Sequence, residues 1–201
     1  MGDPLKVLQE YWGFTAFRPL QDQIVASVLR GQDTIALLPT GGGKSICYQF
    51  PALCMEGVCL VISPLIALMQ DQVQRLKSLN IEAEALHSGM SNREIENALS
   101  HAMFGKLKFL YLSPERLATT KMKSKLRQVP VNMIAVDEAH CIAQWGHDFR
   151  PSYLHIADCR EWTKAPILAL TATATLETRS EIAERLKLKT PEWFEMSFRR
   201  P

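Results

Sequence analysis

The 201-residue sequence lacks the features that mark several large classes of protein. No apolar run is long enough to cross a bilayer and no signal peptide opens the chain, so a membrane or secreted protein is not expected. Low-complexity tracts and internal repeats are also absent, which excludes a solenoid. The formal net charge is only +2. A nucleic-acid partner would therefore have to bind a local patch of charge.

Cysteines are few and form no recognisable pattern. The five cysteines contain no C-x-x-C pair, so no zinc site is expected in this segment, and their odd number argues against a disulfide framework. Most of them lie in apolar stretches, as small core residues do. We therefore expect a reducing, intracellular location, which is the bacterial cytoplasm or nucleoid, or the nucleus if the source is eukaryotic.

The features that are present are organised around a glycine-rich stretch, residues 38–45. An apolar run before it predicts a buried strand, and a segment with helical spacing follows it. Strand, glycine-rich turn, lysine-serine and helix, in this order, are typical of a phosphate-binding loop. Glycines let backbone N–H groups approach phosphate oxygens, and the helix start adds partial positive charge. The alternative is a glycine-rich turn that happens to carry a lysine.

The phosphate-binding interpretation gives each loop residue a role. The loop consists of Thr40, Gly41, Gly42, Gly43, Lys44 and Ser45. Lys44 would reach the β- and γ-phosphates of a nucleotide, and the Ser45 hydroxyl would ligate Mg²⁺. Leu38 is a departure, because the full pattern has glycine at this position.

Apolar runs that predict strands alternate with segments of helical spacing along the whole chain. The strands are predicted at 34–38, 58–62, 83–86, 108–112, 133–136 and 166–170, and the helices at 5–12, 20–29, 46–53, 65–79, from 91 onward, and 176–188. This alternation predicts one α/β domain, residues 1–201, with a mostly parallel sheet and helices on both faces. Such sheets bind ligands at the carboxyl ends of their strands.

Two groups of polar residues extend the predicted nucleotide site. Upstream of the loop, the Gln21 amide could read an adenine edge while Phe14 and Arg18 stack on the base. The start of an amphipathic helix, with Pro19 in its first turn, explains these residues equally well. After the strand at 133–136, Asp137 could hold Mg²⁺ and Glu138 could deprotonate the attacking water.

Two further segments could contact nucleic acid. Ser63 and Pro64 follow a predicted strand, where a hydroxyl and free N–H groups could hold a phosphate, although helix capping explains them as well. The loop from 141 to 153 is rich in aromatic and basic residues. Its residues Trp145 and Phe149 could stack on bases, and His147 and Arg150 could add charge near a phosphate backbone. The alternative is that the two aromatic residues belong to the core.

In combination, these motifs resemble superfamily 2 helicases. Residues 17–21, 63–68 and 137–151 are similar to the corresponding motifs of the RecQ family, and the resemblance covers essentially the whole chain. It implies a RecA-like P-loop domain that uses ATP and Mg²⁺. It also implies 3′–5′ translocation on single-stranded DNA and unwinding of partly duplex DNA in repair and recombination.

The resemblance further implies a role for individual residues. Lys44, Asp137 and Glu138 would be catalytic, Trp145, Phe149 and Arg150 would sense single-stranded DNA, and coupling would depend on His140, Gln144, Thr171 and Thr173. A second RecA-like lobe would begin about where the chain ends, and it would supply an arginine finger. Without that arginine, we expect hydrolysis to be slower by roughly 10³- to 10⁵-fold.

Three other functions remain open from the sequence. A DEAD-box-like RNA helicase would share the same nucleotide motifs. A nucleic-acid-binding module without turnover would share the fold. A P-loop protein that acts on a small molecule would leave the aromatic loop and the Ser-Pro segments without a function.

Overall fold

The computed structural model describes residues 4–144 and 146–196. Within these residues, seven strands form one sheet, and every strand pairing in it is parallel. The strands are β1 (Thr34–Leu37), β2 (Val58–Ile62), β3 (Ala83–Leu86), β4 (Phe109–Leu112), β5 (Val131–Val136), β6 (Ile167–Thr171) and β7 (Glu192–Glu195). Their order across the sheet is β3-β4-β2-β5-β6-β1-β7.

Helices connect these strands. They are α1 (Pro4–Trp12), α2 (Gln21–Leu29), α3 (Lys44–Cys54), α4 (Ile66–Ser78), α5 (Asn92–Met103), α6 (Pro114–Leu117), α7 (Thr120–Leu126) and α8 (Leu176–Arg185), with 3-10 helices at Ala139–Ile142 and Pro151–Glu161. In the part of the chain that the structure describes, no helix is both long and apolar enough to span a bilayer.

The helices cover both faces of the sheet. One core lies between the sheet and α2, α3 and α4, and the other lies between the opposite face and α5, α6, α7, α8 and the second 3-10 helix. Because both faces are covered, every residue of β1, β2, β4 and β6 is buried. The predicted α/β class with helices on both faces is confirmed.

Local details differ from the prediction at two places. The second helix begins at Gln21 instead of Leu20, because Leu20 has a left-handed backbone with φ of 70°. Pro19 therefore lies in the turn before the helix and not in its first turn. The last predicted helix ends at Arg185, earlier than the apolar spacing indicated. The helix predicted from residue 91 onward begins with a capping box, since Ser91 and Glu94 each accept the other's backbone N–H.

Asp33, just before β1, joins three strands at their amino ends. Its Oδ1 accepts the N–H of Ile167, 2.9 Å away, at the start of β6. Its Oδ2 accepts the Lys189 N–H at 2.7 Å and pairs with Arg160, while its backbone carbonyl accepts the Glu192 N–H of β7. Only 4% of the Asp33 side chain is exposed. This buried ion pair therefore fixes β1, and the loop that follows β1, relative to its neighbouring strands.

Candidate nucleotide-binding and catalytic site

The glycine-rich loop connects the carboxyl end of β1 to α3, as predicted. Leu38 is fully buried in the core and donates its N–H to the carbonyl of Thr171 on β6, so its side chain does not enter the loop. Gly41 and Gly43 have φ of 77° and 76°, a left-handed backbone that favours glycine. A Cβ on Gly43 would also lie 2.3 Å from Nε2 of Gln21. The loop backbone therefore requires glycine at both positions.

Two of the three residues predicted to recognise adenine contact this loop directly. Arg18 donates from Nη1 to the carbonyl of Gly41 at 2.7 Å, and Gln21 donates from Nε2 to the carbonyl of Gly43 at 3.0 Å. The Gln21 Oε1 accepts the Arg18 N–H at 2.8 Å. Gln21 is buried and Phe14 is 40% exposed. The two side chains that were predicted to recognise adenine therefore also hold the backbone of the loop.

A cavity of about 400 Å³ runs along the loop. Its walls contain Phe14, Arg18, Gln21, Thr40, Gly41, Gly43, Lys44, Ser45, Asp137 and Glu138, which the sequence indicated. Sequence reasoning missed other residues of the wall, including Trp12, Tyr48, Gln49, Gln72 and Tyr111. Of these, Trp12 could have been found from the sequence, because it is an aromatic residue two positions before Phe14.

A polar network forms the wall of the cavity between α3 and α4. Gln49 donates from Nε2 to Oε1 of Gln72 at 3.0 Å and to the Tyr111 hydroxyl at 3.3 Å. The hydroxyls of Tyr48 and Tyr111 are 3.1 Å apart. This network connects the helix after the glycine-rich loop to α4 and to β4.

Asp137 and Glu138 follow β5, at the same edge of the sheet as the loop. The Glu138 Oε1 is 3.9 Å from Nζ of Lys44. Glu138 has a left-handed backbone with φ of 48°, and its N–H donates to Oδ1 of Asp137 at 3.0 Å. Such a conformation costs roughly 1–2 kcal/mol for a residue other than glycine. The turn places the two carboxylates and the lysine around one cavity.

The Asp137 carboxyl occupies an environment that disfavours its charge. Burial raises its pKa, the neighbouring Glu138 carboxylate raises it further, and Lys44 offsets only part of this increase. A bound cation would relieve the same penalty, so the environment of Asp137 fits a metal ligand. With the Ser45 hydroxyl, it supplies the oxygen donors that Mg²⁺ prefers.

The donor set is small, as Mg²⁺ sites next to phosphates usually are. In residues 4–144 and 146–196, no group of three or more histidine, cysteine and acidic side chains is arranged to hold a metal ion. Mg²⁺ usually keeps several waters and takes one or two protein ligands plus phosphate oxygens. Bound there, Mg²⁺ would neutralise phosphate charge.

His140 connects the candidate catalytic residues to β6. Its Nδ1 is 2.8 Å from Oγ1 of Thr171 and 3.4 Å from Oε2 of Glu138. The Thr171 hydroxyl also lies 2.9 Å from the Thr173 carbonyl, which can accept its proton. On the other side, the His140 Nε2 is 3.6 Å from Oδ2 of Asp148. Three of the predicted coupling residues therefore form one hydrogen-bonded chain.

Gln144, the fourth predicted coupling residue, does not join this chain. Its Oε1 accepts a hydrogen bond from Arg185 of α8 at 3.0 Å. His147 is exposed, while Phe149 and Arg150 are half-buried, and Arg150 lies 4.0 Å from Glu115. Trp145 lies outside the described residues. The predicted DNA contacts of this loop remain predictions.

The segments after β2 and β4 differ, although both contain Ser-Pro. Ser113 accepts the Arg116 N–H at 3.3 Å and caps α6. Ser63 caps no helix, because α4 begins at Ile66 and no side chain caps it. Ser63 is 3% exposed and lines the nucleotide cavity, while Pro64 is half-buried. In this conformation the Ser63 hydroxyl does not lie on an outer surface where a DNA strand could reach it.

The environment of Asp137 gives a prediction for unfolding at different pH values. Because the folded protein raises the pKa of this carboxyl, its charge destabilises the fold at neutral pH, and the penalty disappears below the ordinary value of 3.8. We expect Asp137→Asn to raise the free energy of unfolding of the nucleotide-free protein at pH 7. The gain should shrink as the pH falls toward 4, as measured by urea denaturation across that range.

Asp158 is a matched control, because its replacement should change the free energy of unfolding in the opposite direction. Burial opposes its charge, but hydrogen bonds from Lys123 and His155 outweigh burial and hold its pKa below the usual value. Asp158→Asn should therefore lower the free energy of unfolding at pH 7, and the loss should shrink in acid. If Asp137→Asn also lowered stability at neutral pH, the environment inferred for Asp137 would be wrong.

Comparison with known proteins identifies the family to which this chain belongs. A model of the DEAD/DEAH box helicase family matches residues 18–182, a range that contains the glycine-rich loop and the Asp137–Glu138 pair. The chain belongs to this family. Within it, the chain is similar to RecQ helicases. The ATP-dependent DNA helicase RecQ of Pasteurella multocida is 46% identical over 198 residues, which are 98% of this chain and 31% of that protein.

A second relative supports this placement. The probable ATP-dependent DNA helicase RecS of Bacillus subtilis is 47% identical over 186 residues, which cover 92% of this chain and 37% of that protein. The chain thus spans about a third of the length of these two relatives.

Two solved structures are similar to this chain in fold alone. The Pyrococcus furiosus Hef helicase domain matches with a TM-score of 0.69 at 23% identity, over 89% of this chain and 38% of that one. The DUF1998 helicase MrfA bound to DNA matches with a TM-score of 0.78 at 17% identity, over 98% of this chain and 30% of that one. The predicted RecA-like fold is confirmed.

Proposed function

We propose that this chain is the ATP-binding lobe of a RecQ-type DNA helicase. The observation that carries the proposal is the single cavity that brings Lys44, Ser45, Asp137 and Glu138 together beside Gln21. Its relatives in Pasteurella multocida and Bacillus subtilis are named ATP-dependent DNA helicases. The proposed activity is 3′–5′ translocation on single-stranded DNA with unwinding of partly duplex DNA, in repair and recombination.

The side chains of the cavity have separate tasks in the proposed reaction. Lys44 would neutralise the β- and γ-phosphates, while Gln21, Arg18 and Phe14 would hold the adenine. Glu138 would orient the attacking water and accept its proton, a role supported by the distance of 3.9 Å between its Oε1 and Nζ of Lys44. Ser45 and Asp137 would hold Mg²⁺, which supplies charge stabilisation to the phosphates when bound.

The chain from Glu138 through His140 to Thr171 would report the state of the nucleotide. His140 contacts Glu138 at one atom and Asp148, in the aromatic-rich loop, at another. A change in charge at the γ-phosphate would therefore reach the residues proposed to contact DNA. We also propose a second RecA-like lobe as a partner in the whole protein. The proposed location is the bacterial cytoplasm or nucleoid, or the nucleus of a eukaryote.

Nucleotide turnover by this chain tests the proposal. ATP binding and phosphate release would be measured without nucleic acid, with single-stranded DNA, and with RNA of the same sequence. We expect Mg²⁺-dependent ATP binding with slow turnover, because a trans-acting arginine can supply roughly 10³- to 10⁵-fold in rate. Any stimulation of ATP turnover should be greater with DNA than with RNA. Failure of the folded chain to bind ATP, or stimulation by RNA alone, would contradict the proposal.

A further inference from the structure

Ser63 has a buried hydroxyl that lacks a hydrogen-bond partner within the described residues. The residue is 3% exposed and no group in that part of the chain lies within hydrogen-bond distance of its Oγ. Buried hydroxyls in folded proteins are nearly always paired, with protein or with an ordered water or ligand. The Ser63 hydroxyl is therefore available to pair with a water or a ligand in the cavity.

Local structure does not explain this serine. Ser113 stands at the equivalent place after β4 and caps α6 through the Arg116 N–H. Ser63 also precedes a proline, but α4 starts three residues later, at Ile66, with Leu65 at its cap position. The same Ser-Pro pair thus has a structural task after β4 and none after β2.

The register of the sheet places Ser63 beside Asp137. Ile62 of β2 is paired with Val136 of β5, and the Asp137 N–H donates to the Ile62 carbonyl at 2.9 Å. The next residues along the two strands are Ser63 and Asp137, so they are neighbours across the ladder. Side chains alternate between the faces of a sheet, so both point to the same face. Both also line the cavity that contains Lys44 and Ser45.

We propose that Ser63 is a positioning residue of the metal–nucleotide site. Its hydroxyl would hold an oxygen of the hydrated Mg²⁺–triphosphate next to Asp137, an inference that rests on the proposed function. A serine hydroxyl both donates and accepts, so it can pair with a metal-bound water or with a phosphate oxygen. Mg²⁺ retains several waters when bound, and these need partners in a buried site. This assignment moves Ser63 from the DNA contacts to the nucleotide contacts.

Nucleotide binding with and without Mg²⁺ separates this role from a structural one. The probe is a non-hydrolysable ATP analogue, titrated by calorimetry into the wild-type chain, Ser63→Ala and Ser113→Ala, in Mg²⁺ and in EDTA. Loss of one hydrogen bond should weaken binding of the Mg²⁺ complex to Ser63→Ala by about fivefold. Binding in EDTA should be unchanged, and the Mg²⁺ concentration for half-maximal binding should rise.

Thermal unfolding supplies the second readout and the matched control. Ser63→Ala removes an unpaired buried hydroxyl, so its midpoint temperature without nucleotide should equal or exceed that of the wild type. Ser113→Ala loses a helix cap, so its midpoint should fall while its Mg²⁺ dependence stays unchanged.

Two results would overturn the role of Ser63. One is wild-type affinity of Ser63→Ala for the Mg²⁺ complex, and the other is an equal loss of affinity in Mg²⁺ and in EDTA. If the wild-type chain itself shows no Mg²⁺-dependent binding, the proposed function fails, and the inference fails with it.

Discussion

Replacing Glu138 with glutamine is expected to lower ATP turnover by about 10²- to 10⁴-fold and to leave ATP binding intact. Glutamine has nearly the same shape as glutamate but cannot accept a proton from the attacking water. The carboxylate lies beside Lys44 and His140, at one wall of the cavity, so its loss does not remove the residues proposed to hold the base and the phosphates. Steady-state phosphate release and calorimetric titration of ATP measure the two quantities separately.

Glutamine is the suitable substitution because Glu138 has a left-handed backbone, and glutamine keeps the shape of the side chain at this turn. A change of side-chain shape at this turn would risk moving Asp137, whose Oδ1 accepts the Glu138 N–H. Glu10→Gln makes the same chemical change at an exposed position of α1 that does not line the cavity, and it should leave turnover unchanged. Turnover of Glu138→Gln at the wild-type rate would exclude Glu138 as the general base. Loss of ATP binding would show that it acts in binding.

Asp33→Ala is expected to lower the free energy of unfolding by about 3–5 kcal/mol. The substitution leaves the Arg160 guanidinium, whose side chain is 13% exposed, without its carboxylate. It also removes the acceptor of the Ile167 and Lys189 N–H groups. Removing one partner of a buried ion pair is costly, because the remaining charge is uncompensated. Urea denaturation followed by circular dichroism measures the change.

An exposed ion pair close to Asp33 is the matched control. Arg30 pairs with Glu192 at 2.9 Å, and the two side chains are 59% and 38% exposed. Because water screens this pair, Glu192→Ala should change the free energy of unfolding much less than Asp33→Ala does. If Asp33→Ala cost no more than this control, the carboxylate would not be what fixes the three strands.

Most of the fold could be predicted because its strands are buried on both faces. Such strands are continuous apolar runs, and every observed strand except β7 begins and ends within two residues of a predicted one, as for Val58–Ile62. β7 was missed because its four residues, Glu192–Glu195, alternate in exposure and carry charge at both ends. Leu20 was assigned to a helix because spacing does not reveal a left-handed φ outside glycine.

Some features of the candidate site could be predicted from the sequence, and others could not. The glycine-rich loop and the Asp137–Glu138 pair could be predicted because each is a local pattern at the end of an apolar run. The contacts of Asp33 and the proximity of Ser63 to Asp137 could not, because both depend on which strands become neighbours. The sequence separates Ser63 from Asp137 by 74 positions, and only the β2–β5 pairing brings them together. Register across a parallel sheet is a property of the whole fold and leaves no local signal.

β7 has a consequence for how a minimal version of this protein should be made. It pairs with β1 along its whole length, and the Met196 N–H donates to the Leu37 carbonyl just before the glycine-rich loop. The match to the helicase family ends at residue 182, before this strand begins. A fragment cut at that boundary would leave β1 as an unpaired edge, open to association with other chains. An expression boundary chosen from the sheet instead lies beyond Met196.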